Sequence, residues 1–383
     1  MTPTAVLEWV EQEQPRNARW RSGNGSSPPR RIQLADDTLS ADTAFRLASE
    51  GTGLLWRGDF QNARQLLQAL ARRADRKPRR SGKSEPLAAG EAFHRHRMQQ
   101  GQRARLLAML LIELEGDYAI RLRRAPDLRQ ACSEAWGDCD GNPSVTSLRE
   151  LLGLVGAHEW RRRGVEISAL GPPPANRIHA HYGVFSPVRG EYIALVAQAP
   201  LPATTLAFDI GTGTGVLAAV LARRGVQRVI GTDQDARALA CARDNTVRLG
   251  LQHCIEVIEA DLFPPGTAPL VVCNPPWVPA RPSSPLEHAI YDEGSRMLRS
   301  FLAGLPAHLD PGGEGWLVLS DLAERLGLRS RGELLEWIEA AGLKVLSRSE
   351  ARPSHPKATD QDDPLHAARS GEVTALWRLA MRN

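Results

Sequence analysis

A strand-like apolar run that leads directly into a glycine-rich turn restricts the fold of this 383-residue chain more than any other feature. The run is Leu206–Ile210, and the turn after it reads Gly211-Thr212-Gly213-Thr214-Gly215. A helical pattern over 215–224 begins at the last of these glycines. A strand, a tight turn and a helix in this order open an α/β sheet, in which ligands bind beyond the carboxyl ends of the strands. The turn therefore predicts both a fold class and the place of a ligand site.

Strand-like runs and helical patterns continue to alternate after this turn. The alternation predicts an α/β fold with a doubly wound, seven-stranded, mostly parallel sheet of Rossmann-like type. Strands are predicted at 206–210, 228–232, 255–258, 270–273, 315–320, 344–348 and 373–380, and helices at 215–224, 235–249, 295–309 and 331–341. No helix separates the last two strands, so we expect them to pair antiparallel at the sheet edge. Their long polar connection, 351–371, is expected to be a mobile loop.

The first 170 residues lack this alternation. Residues 1–37 show no periodicity and carry a Gly-, Ser- and Pro-rich stretch, so we expect a disordered tail. Residues 38–170 contain only helical patterns, at 41–51, 60–73, 91–115, 127–136 and 147–163, which predict a small helical domain. The prolines at 172–174 separate it from the α/β domain at 176–383.

Basic residues are concentrated in the N-terminal half. Residues 1–175 hold 27 Lys and Arg against 21 Asp and Glu, whereas residues 176–383 hold 21 against 23. The excess is greatest at 72–105, with 11 basic and 3 acidic residues, and includes a flexible linker predicted at 76–90. This excess favours a polyanionic partner such as RNA, although a solvated arginine-rich surface explains it equally well. We interpret the helical domain as a basic, substrate-recognition domain.

Composition excludes several classes of protein. No run approaches the roughly 18–20 apolar residues that span a bilayer, and the N-terminus lacks the apolar core of a signal peptide. We therefore expect a cytoplasmic protein. The five cysteines form no disulfide framework at this length. No set of ligands has zinc-site spacing, so no metal site is predicted.

Three carboxylates follow successive predicted strands. Asp209 lies near the end of the first strand, Asp233 ends the second, and Asp261 follows the third. A carboxylate at the second position can accept the hydroxyls of a ribose. Val216 stands where a dinucleotide fingerprint has its last glycine, and no Gly-Lys-Ser/Thr follows the turn. Carboxylates repel a pyrophosphate but suit a cationic ligand, and S-adenosylmethionine is both cationic and an adenosine.

The tetrapeptide Asn274-Pro275-Pro276-Trp277 directly follows the fourth predicted strand. The prolines have fixed φ and no N–H, so the carbonyl of Pro275 can face a pocket. The Asn274 side chain offers a second acceptor beside it. Two adjacent acceptors suit a substrate NH₂ group, and Trp277 offers a flat surface on which a planar amide or base can stack.

Taken together, these motifs make residues 180–383 resemble a class I S-adenosylmethionine-dependent methyltransferase. The resemblance is carried by 208–215, Gly231-Thr232-Asp233, Ala260-Asp261-Leu262-Phe263 and Asn274–Trp277. Within the class, the last motif is similar to that of the amino-methylating branch. This branch includes the HemK-type release-factor glutamine methyltransferases and the small-domain enzymes that methylate exocyclic amines of rRNA and tRNA bases.

The resemblance implies a role for each matching residue. Asp209 with Gly211, Thr212, Gly213 and Gly215 would bound the methionine part of S-adenosylmethionine. Asp233 would bind the ribose, Asp261 with Leu262 the adenine, and Phe185 with Pro187 would pack over the cofactor. Asn274, Pro275, Pro276 and Trp277 would form the catalytic motif, with Asn274 also beside the cofactor. Tyr291, Asp292 and Glu293 either line the substrate mouth or cap the next helix.

The implied activity is N-methylation of a planar amide or exocyclic amine in a translation-related macromolecule. The first candidate is a glutamine of a protein such as a release factor or ribosomal protein. The alternative is an adenine or guanine amine of rRNA or tRNA, since the tetrapeptide ends in Trp where glutamine enzymes typically have Tyr. Two other classes remain open, an NAD(P)-dependent oxidoreductase and a non-catalytic RNA-binding protein.

Overall fold

The computed structural model describes residues 5–76, 87–283, 285–352 and 365–382. The chain forms two compact units, one of Met1–Leu87 with His94–Glu159 and the other of Ala88–Phe93 with Trp160–Asn383. These bounds differ from the predicted domains: residues 88–93 and 160–170 of the expected helical domain belong to the second unit. Of the predicted basic linker, residues 77–86 lie outside the described residues.

A six-stranded sheet forms the centre of the N-terminal unit. Its strands are β1 (Val6–Glu11), β2 (Gln14–Trp20), β3 (Arg31–Ala35), β4 (Thr52–Trp56), β5 (Leu110–Leu114) and β6 (Ser144–Ser147), in the order β1-β2-β6-β5-β4-β3. The helices up to residue 163 are α1 (Ala41–Ser49), α2 (Phe60–Ala74), α3 (Ala89–Leu107), α4 (Arg129–Trp136) and α5 (Leu148–Arg163). Pairing is parallel for β2–β6, β5–β4 and β4–β3 and antiparallel for β1–β2 and β6–β5.

The prediction of an all-helical N-terminal domain is wrong. All five residues of β4 are buried, so both faces of this strand are apolar and the alternation that marks a half-exposed strand is missing. β5 is also largely buried, and its apolar residues continue the helical pattern predicted over 91–115. Central strands of this kind resemble the apolar stripe of a helix in sequence.

The prediction of a disordered tail at 1–37 is also wrong for the residues that the structure describes. β1 alternates exposed and buried residues and pairs antiparallel with β2 along its whole length. Leu7 and Trp9 of β1 pack with Ala18 and Trp20 of β2 in one apolar cluster. The connection is polar and only two residues long, and the strands are short, so the sequence carries no periodicity that predicts this hairpin.

The C-terminal unit contains the predicted seven-stranded sheet. Its strands are β9 (Leu206–Ile210), β10 (Arg228–Asp233), β11 (Ile255–Glu259), β12 (Ala268–Cys273), β13 (Leu309–Ser320), β14 (Leu343–Ala351) and β15 (Thr374–Met381), after a short β7 (Val165–Glu166) and β8 (Arg177–Ile178) pair. The order β11-β10-β9-β12-β13-β15-β14 is parallel through β13. β15 pairs antiparallel with β13 and with β14, which confirms the expected antiparallel edge.

Helices cover both faces of this sheet. They are α6 (Glu191–Gln198), α7 (Val216–Arg223), α8 (Ala236–Arg248), α9 (Arg296–Gly304), α10 (Leu322–Arg325), α11 (Arg331–Ala340) and α12 (His366–Ser370). The connection 351–371 is expected from its sequence to be a loop, but α12 lies at its end. Residues 353–364 of this connection lie outside the described residues. Within the described residues, every helix is too short or too polar to cross a bilayer.

The direction of winding reverses between β9 and β12, and this places the site. β10 and β11 lie on one side of β9, whereas β12 and β13 lie on the other. Alternation along β9 puts Phe208 and Ile210 in the apolar cluster of one face and Ala207 in that of the other. The carboxyl ends of β9, β10 and β12 are therefore adjacent, at the switch point where open α/β sheets bind ligands.

Candidate active site

Two cavities lie at the carboxyl ends of these three strands. The first measures ≈ 210 Å³ and the second ≈ 430 Å³. The second lies within the range of roughly 300–1,000 Å³ that ligand pockets occupy, and the first is smaller. Five residues line both cavities, namely Gly211, Asp233, Pro276, His288 and Met297. The two cavities therefore adjoin one another along a single cleft, which suits an elongated ligand.

The glycine turn exposes its backbone to the first cavity. Gly211, Gly213 and Gly215 have φ of 68°, 56° and 79°, a region that favours glycine over residues with a side chain. A Cβ added at Gly211 would lie 2.8 Å from the methyl carbon of Met297. Both constraints require the absence of a side chain, so a ligand can approach the main chain closely here.

Asp209 is buried at the end of β9 and lines the first cavity. Its Oδ2 accepts hydrogen bonds from Thr212 Oγ1 at 2.7 Å and from the Ala218 amide at 3.0 Å. Burial raises the pKa of Asp209 to about 6, since the two hydrogen bonds offset only part of the desolvation. A charged ligand of positive sign would relieve this unfavourable burial.

The free energy of unfolding should depend on Asp209 with a definite sign. The folded carboxyl has a pKa of about 6 against 3.8 ordinarily, so between these values the folded state binds the proton more tightly. Its contribution to stability therefore falls as pH rises from about 4 to about 6, and is lowest above that. We expect Asp209→Asn, which keeps an acceptor, to be more stable than wild type at about pH 7.5 by a few kcal/mol, and by much less at about pH 4.5.

Urea unfolding of both proteins at the two pH values measures this difference. Subtracting wild type from variant removes the contribution of other titrating groups. A difference that is the same at both pH values would contradict the raised pKa.

Asp233 ends β10 and organises the turn. Its Oδ2 accepts from the Gly213 amide and its Oδ1 from the Asp235 amide, each at 3.0 Å. Burial raises its pKa, as it does for Asp209. The ion pair that Arg237 forms on this segment is with Asp235 and not with Asp233. The cleft is thus negative at its centre.

Asp261 and Leu262 lie at the far end of the cleft. Both line the second cavity only. Asp261 is exposed, and its Oδ1 accepts a hydrogen bond from Gln234 Nε2. Leu262 has φ of 68°, and its carbonyl accepts from Thr232 Oγ1 at 2.5 Å. Asp233 therefore lies where the two cavities meet, whereas Asp261 lies in the second cavity alone.

The Asn-Pro-Pro-Trp motif contributes two of its residues to the cleft. Asn274 lines the first cavity, Pro276 lines both, and Pro275 is buried. Trp277 lines neither of these two cavities; its Nε1 donates a hydrogen bond to Asn274 Oδ1 at 2.9 Å. The side chain expected to stack on a substrate is thus directed to its neighbour in the motif.

The remaining predicted residues divide into two groups. Phe185 lines the first cavity, whereas Pro187 is buried and lines neither. Tyr291, Asp292 and Glu293 line the second cavity. Asp292 also accepts from the amides of Met297 and Leu298, so it caps α9 as well.

Two residues at the junction of the cavities were not predicted. His288 and Met297 come from the segment after Trp277 and from α9, and no spacing rule marks either residue. Cys273, beside Asn274, is buried, and its pKa lies well above the ordinary thiol value because of desolvation. It is therefore not a thiolate nucleophile at neutral pH.

Comparisons with known proteins show what part of this unit is similar to. The sequence profile of the methyltransferase small domain matches residues 175–328. The release factor glutamine methyltransferase of Cereibacter sphaeroides is 31% identical over 173 residues, 42% of this chain and 60% of that protein. The ribosomal RNA small subunit methyltransferase C of Alcanivorax borkumensis is 36% identical over 112 residues, 29% of this chain and 30% of that protein.

A solved structure, the ribosomal protein L11 methylase from Lactobacillus delbrueckii subsp. bulgaricus, aligns with a TM-score of 0.36 and 15% identity over 50% of this chain and 77% of that chain. This chain spans 60% or less of the two curated relatives. The matched segment contains the glycine turn, the three carboxylates and the Asn-Pro-Pro-Trp motif. Residues 175–328 therefore match the methyltransferase small domain, in agreement with the resemblance of residues 180–383 to a class I S-adenosylmethionine-dependent methyltransferase.

Proposed function

We propose that this protein is a cytoplasmic N-methyltransferase that transfers a methyl group from S-adenosylmethionine to a planar amide nitrogen in the translation machinery. The first candidate is a glutamine side chain of a protein such as a release factor or a ribosomal protein. One observation carries the proposal: Asn274 lines a cavity that the glycine turn and Asp209 also line. An acceptor for an amine thus faces a site suited to a cationic cofactor.

The residues of the cleft fit S-adenosylmethionine by charge and shape. Asp209 and Asp233 are carboxylates whose pKa values burial raises, and a sulfonium and an ammonium group would compensate that cost. Gly211 and Gly213 would hold the methionine part against their backbone, and Phe185 would cover it. Asp233 would bind the ribose, and Asp261 with Leu262 the adenine.

The chain's own residues would act by orientation. When bound, the cofactor would supply the methyl group, with its C–S bond electrons left on sulfur and the proton of the methylated nitrogen released to solvent. Asn274 Oδ1 and the Pro275 carbonyl would accept both N–H groups of the target and so draw its lone pair out of conjugation. Fixed acceptors of this kind contribute through positioning and electrostatics. A cysteine intermediate is not required, in keeping with the protonated state of Cys273.

An RNA base is the second candidate substrate. Residues 72–105 carry 11 basic against 3 acidic residues, which favours a polyanionic partner. One relative is named a ribosomal RNA methyltransferase. A base amine offers the same two N–H donors as a glutamine amide, provided that the base is flipped out of its stack. In either case we propose that the basic N-terminal unit recognises the substrate.

Transfer of label from radiolabelled S-adenosylmethionine tests this function. The purified protein is incubated with lysate from a strain that lacks it, and the product is divided into RNase-treated and protease-treated halves. Label lost with protease supports the glutamine proposal, and label lost with RNase supports the base. No label in either half, while S-adenosylmethionine binds, overturns both and favours a non-catalytic RNA-binding protein. Binding of NAD(P)H in place of S-adenosylmethionine would instead indicate an oxidoreductase.

A further inference from the structure

The hydrogen bond between Trp277 and Asn274 gives the tryptophan a role other than stacking. Trp277 Nε1 donates to Asn274 Oδ1 at 2.9 Å. Asn274 lines the first cavity, whereas Trp277 lines neither cavity of the cleft. The indole therefore contacts the residue proposed to hold the substrate amine, although Trp277 itself does not line the cleft.

The position of Trp277 is fixed independently of Asn274. Its half-buried ring packs against three apolar clusters, two on the sheet faces and one that contains Val278 and Leu326. Its carbonyl accepts a hydrogen bond from Nη2 of the buried Arg329 at 3.4 Å. The backbone N–H of the next residue, Val278, donates to the Ile290 carbonyl, and its carbonyl accepts from the Asp292 amide. Because these contacts hold both the ring and the main chain of Trp277, the indole N–H is fixed in its direction toward Asn274.

An asparagine amide has two ends of almost equal shape and opposite hydrogen-bonding character. With Oδ1 toward the indole, the bond seen in the structure forms, and the second lone pair of Oδ1 stays available. With the amide rotated by half a turn, two donors would face each other at Nε1. The indole therefore selects the orientation in which Asn274 is an acceptor.

We propose that Trp277 is a positioning residue, whose indole N–H locks the Asn274 amide with Oδ1 available to the substrate amine; this inference rests on the proposed N-methyltransferase function. A locked acceptor beside the Pro275 carbonyl makes a site that accepts N–H groups only. Such a site distinguishes an amide or amine from a carboxylate or carbonyl oxygen of the same shape, because the oxygen would face acceptors. Glutamine would thus be selected over glutamate.

Trp277→Phe removes the N–H and keeps an aromatic ring. The assay uses as methyl acceptor the lysate fraction that the wild-type protein labels. We expect kcat to fall about tenfold, because the acceptor loses its fixed orientation. KM for S-adenosylmethionine should be unchanged. The control is the same substitution in an Asn274→Asp background, where both terminal atoms accept and rotation of the group is immaterial. There, Trp277→Phe should cost less than about twofold. An equal loss in both backgrounds would mean that Trp277 acts through packing alone and would overturn the proposal.

A measurement without substrate separates this inference from the proposed function. In protein with ¹⁵N-labelled indoles, the Trp277 signal is assigned by its absence from Trp277→Phe. We expect its indole proton to exchange slowly with solvent, and to exchange faster and shift upfield in Asn274→Leu. An indole signal unaffected by Asn274→Leu overturns the positioning role even if methyl transfer is found. A benzothiophene in place of the Trp277 indole removes the N–H at constant shape, should Trp277→Phe unfold the protein.

Discussion

Replacement of Asn274 by alanine is expected to reduce methyl transfer at least about 100-fold, because removing one oriented hydrogen-bonding group from an active site costs about 100- to 1,000-fold. The affinity for S-adenosylmethionine should change less than about threefold. The glycine turn and Asp233 are held by a hydrogen bond between the Gly213 amide and the Asp233 carboxylate, which does not involve Asn274. Single-turnover transfer and calorimetric titration measure the two quantities separately.

Two controls keep this result interpretable. Asn274→Ala leaves the Trp277 indole without its acceptor, so thermal unfolding must show that the domain remains folded at the assay temperature. Asn274→Asp retains an acceptor and should transfer faster than Asn274→Ala. Loss of S-adenosylmethionine binding in Asn274→Ala would show that Asn274 serves the cofactor, and transfer at the wild-type rate would remove it from the mechanism.

The sheet of the C-terminal unit could be predicted because its signals are local. A strand, a glycine turn and a helix are adjacent in sequence, and the positive φ of Gly211, Gly213 and Gly215 makes glycine the residue that fits. Asp233 could be placed for the same reason, since it ends a recognisable strand. In the N-terminal unit, the strands β4 and β5 are buried on both faces, so their pattern does not differ from that of a buried helix.

The shape of the cleft could be predicted only in part. His288 and Met297 reach it from segments that follow the motif, through contacts that depend on the tertiary fold. The orientation of the Trp277 side chain also depends on packing. It packs against three apolar clusters, and the sequence of the tetrapeptide does not predict these contacts. A functional residue at the end of a strand can thus be predicted from the sequence, whereas the orientation of a side chain that follows the strand cannot.

Asp233→Ala is expected to weaken S-adenosylmethionine binding about 100-fold or more. Hydrogen bonds to a charged acceptor contribute about 1.5–3 kcal/mol each, and about 1.4 kcal/mol corresponds to tenfold in affinity. Asp233 would accept from the ribose, and its carboxylate also holds the Gly213 and Asp235 amides in place. The substitution therefore removes a direct contact and loosens the turn that bounds the methionine part. Calorimetric titration of wild type and variant measures the effect.

Asp261→Ala is the matched control, because it removes a carboxylate from the same cleft. Asp261 is exposed and lines only the second cavity, so solvent screens its charge and competes for its hydrogen bonds. We expect it to weaken binding by no more than about tenfold. Asp233→Asn, which keeps one acceptor for the turn, should fall between the two. Equal losses of affinity for Asp233→Ala and Asp261→Ala would contradict this prediction. They would show that cofactor affinity depends on the total negative charge of the cleft and not on the position of Asp233 where the two cavities meet.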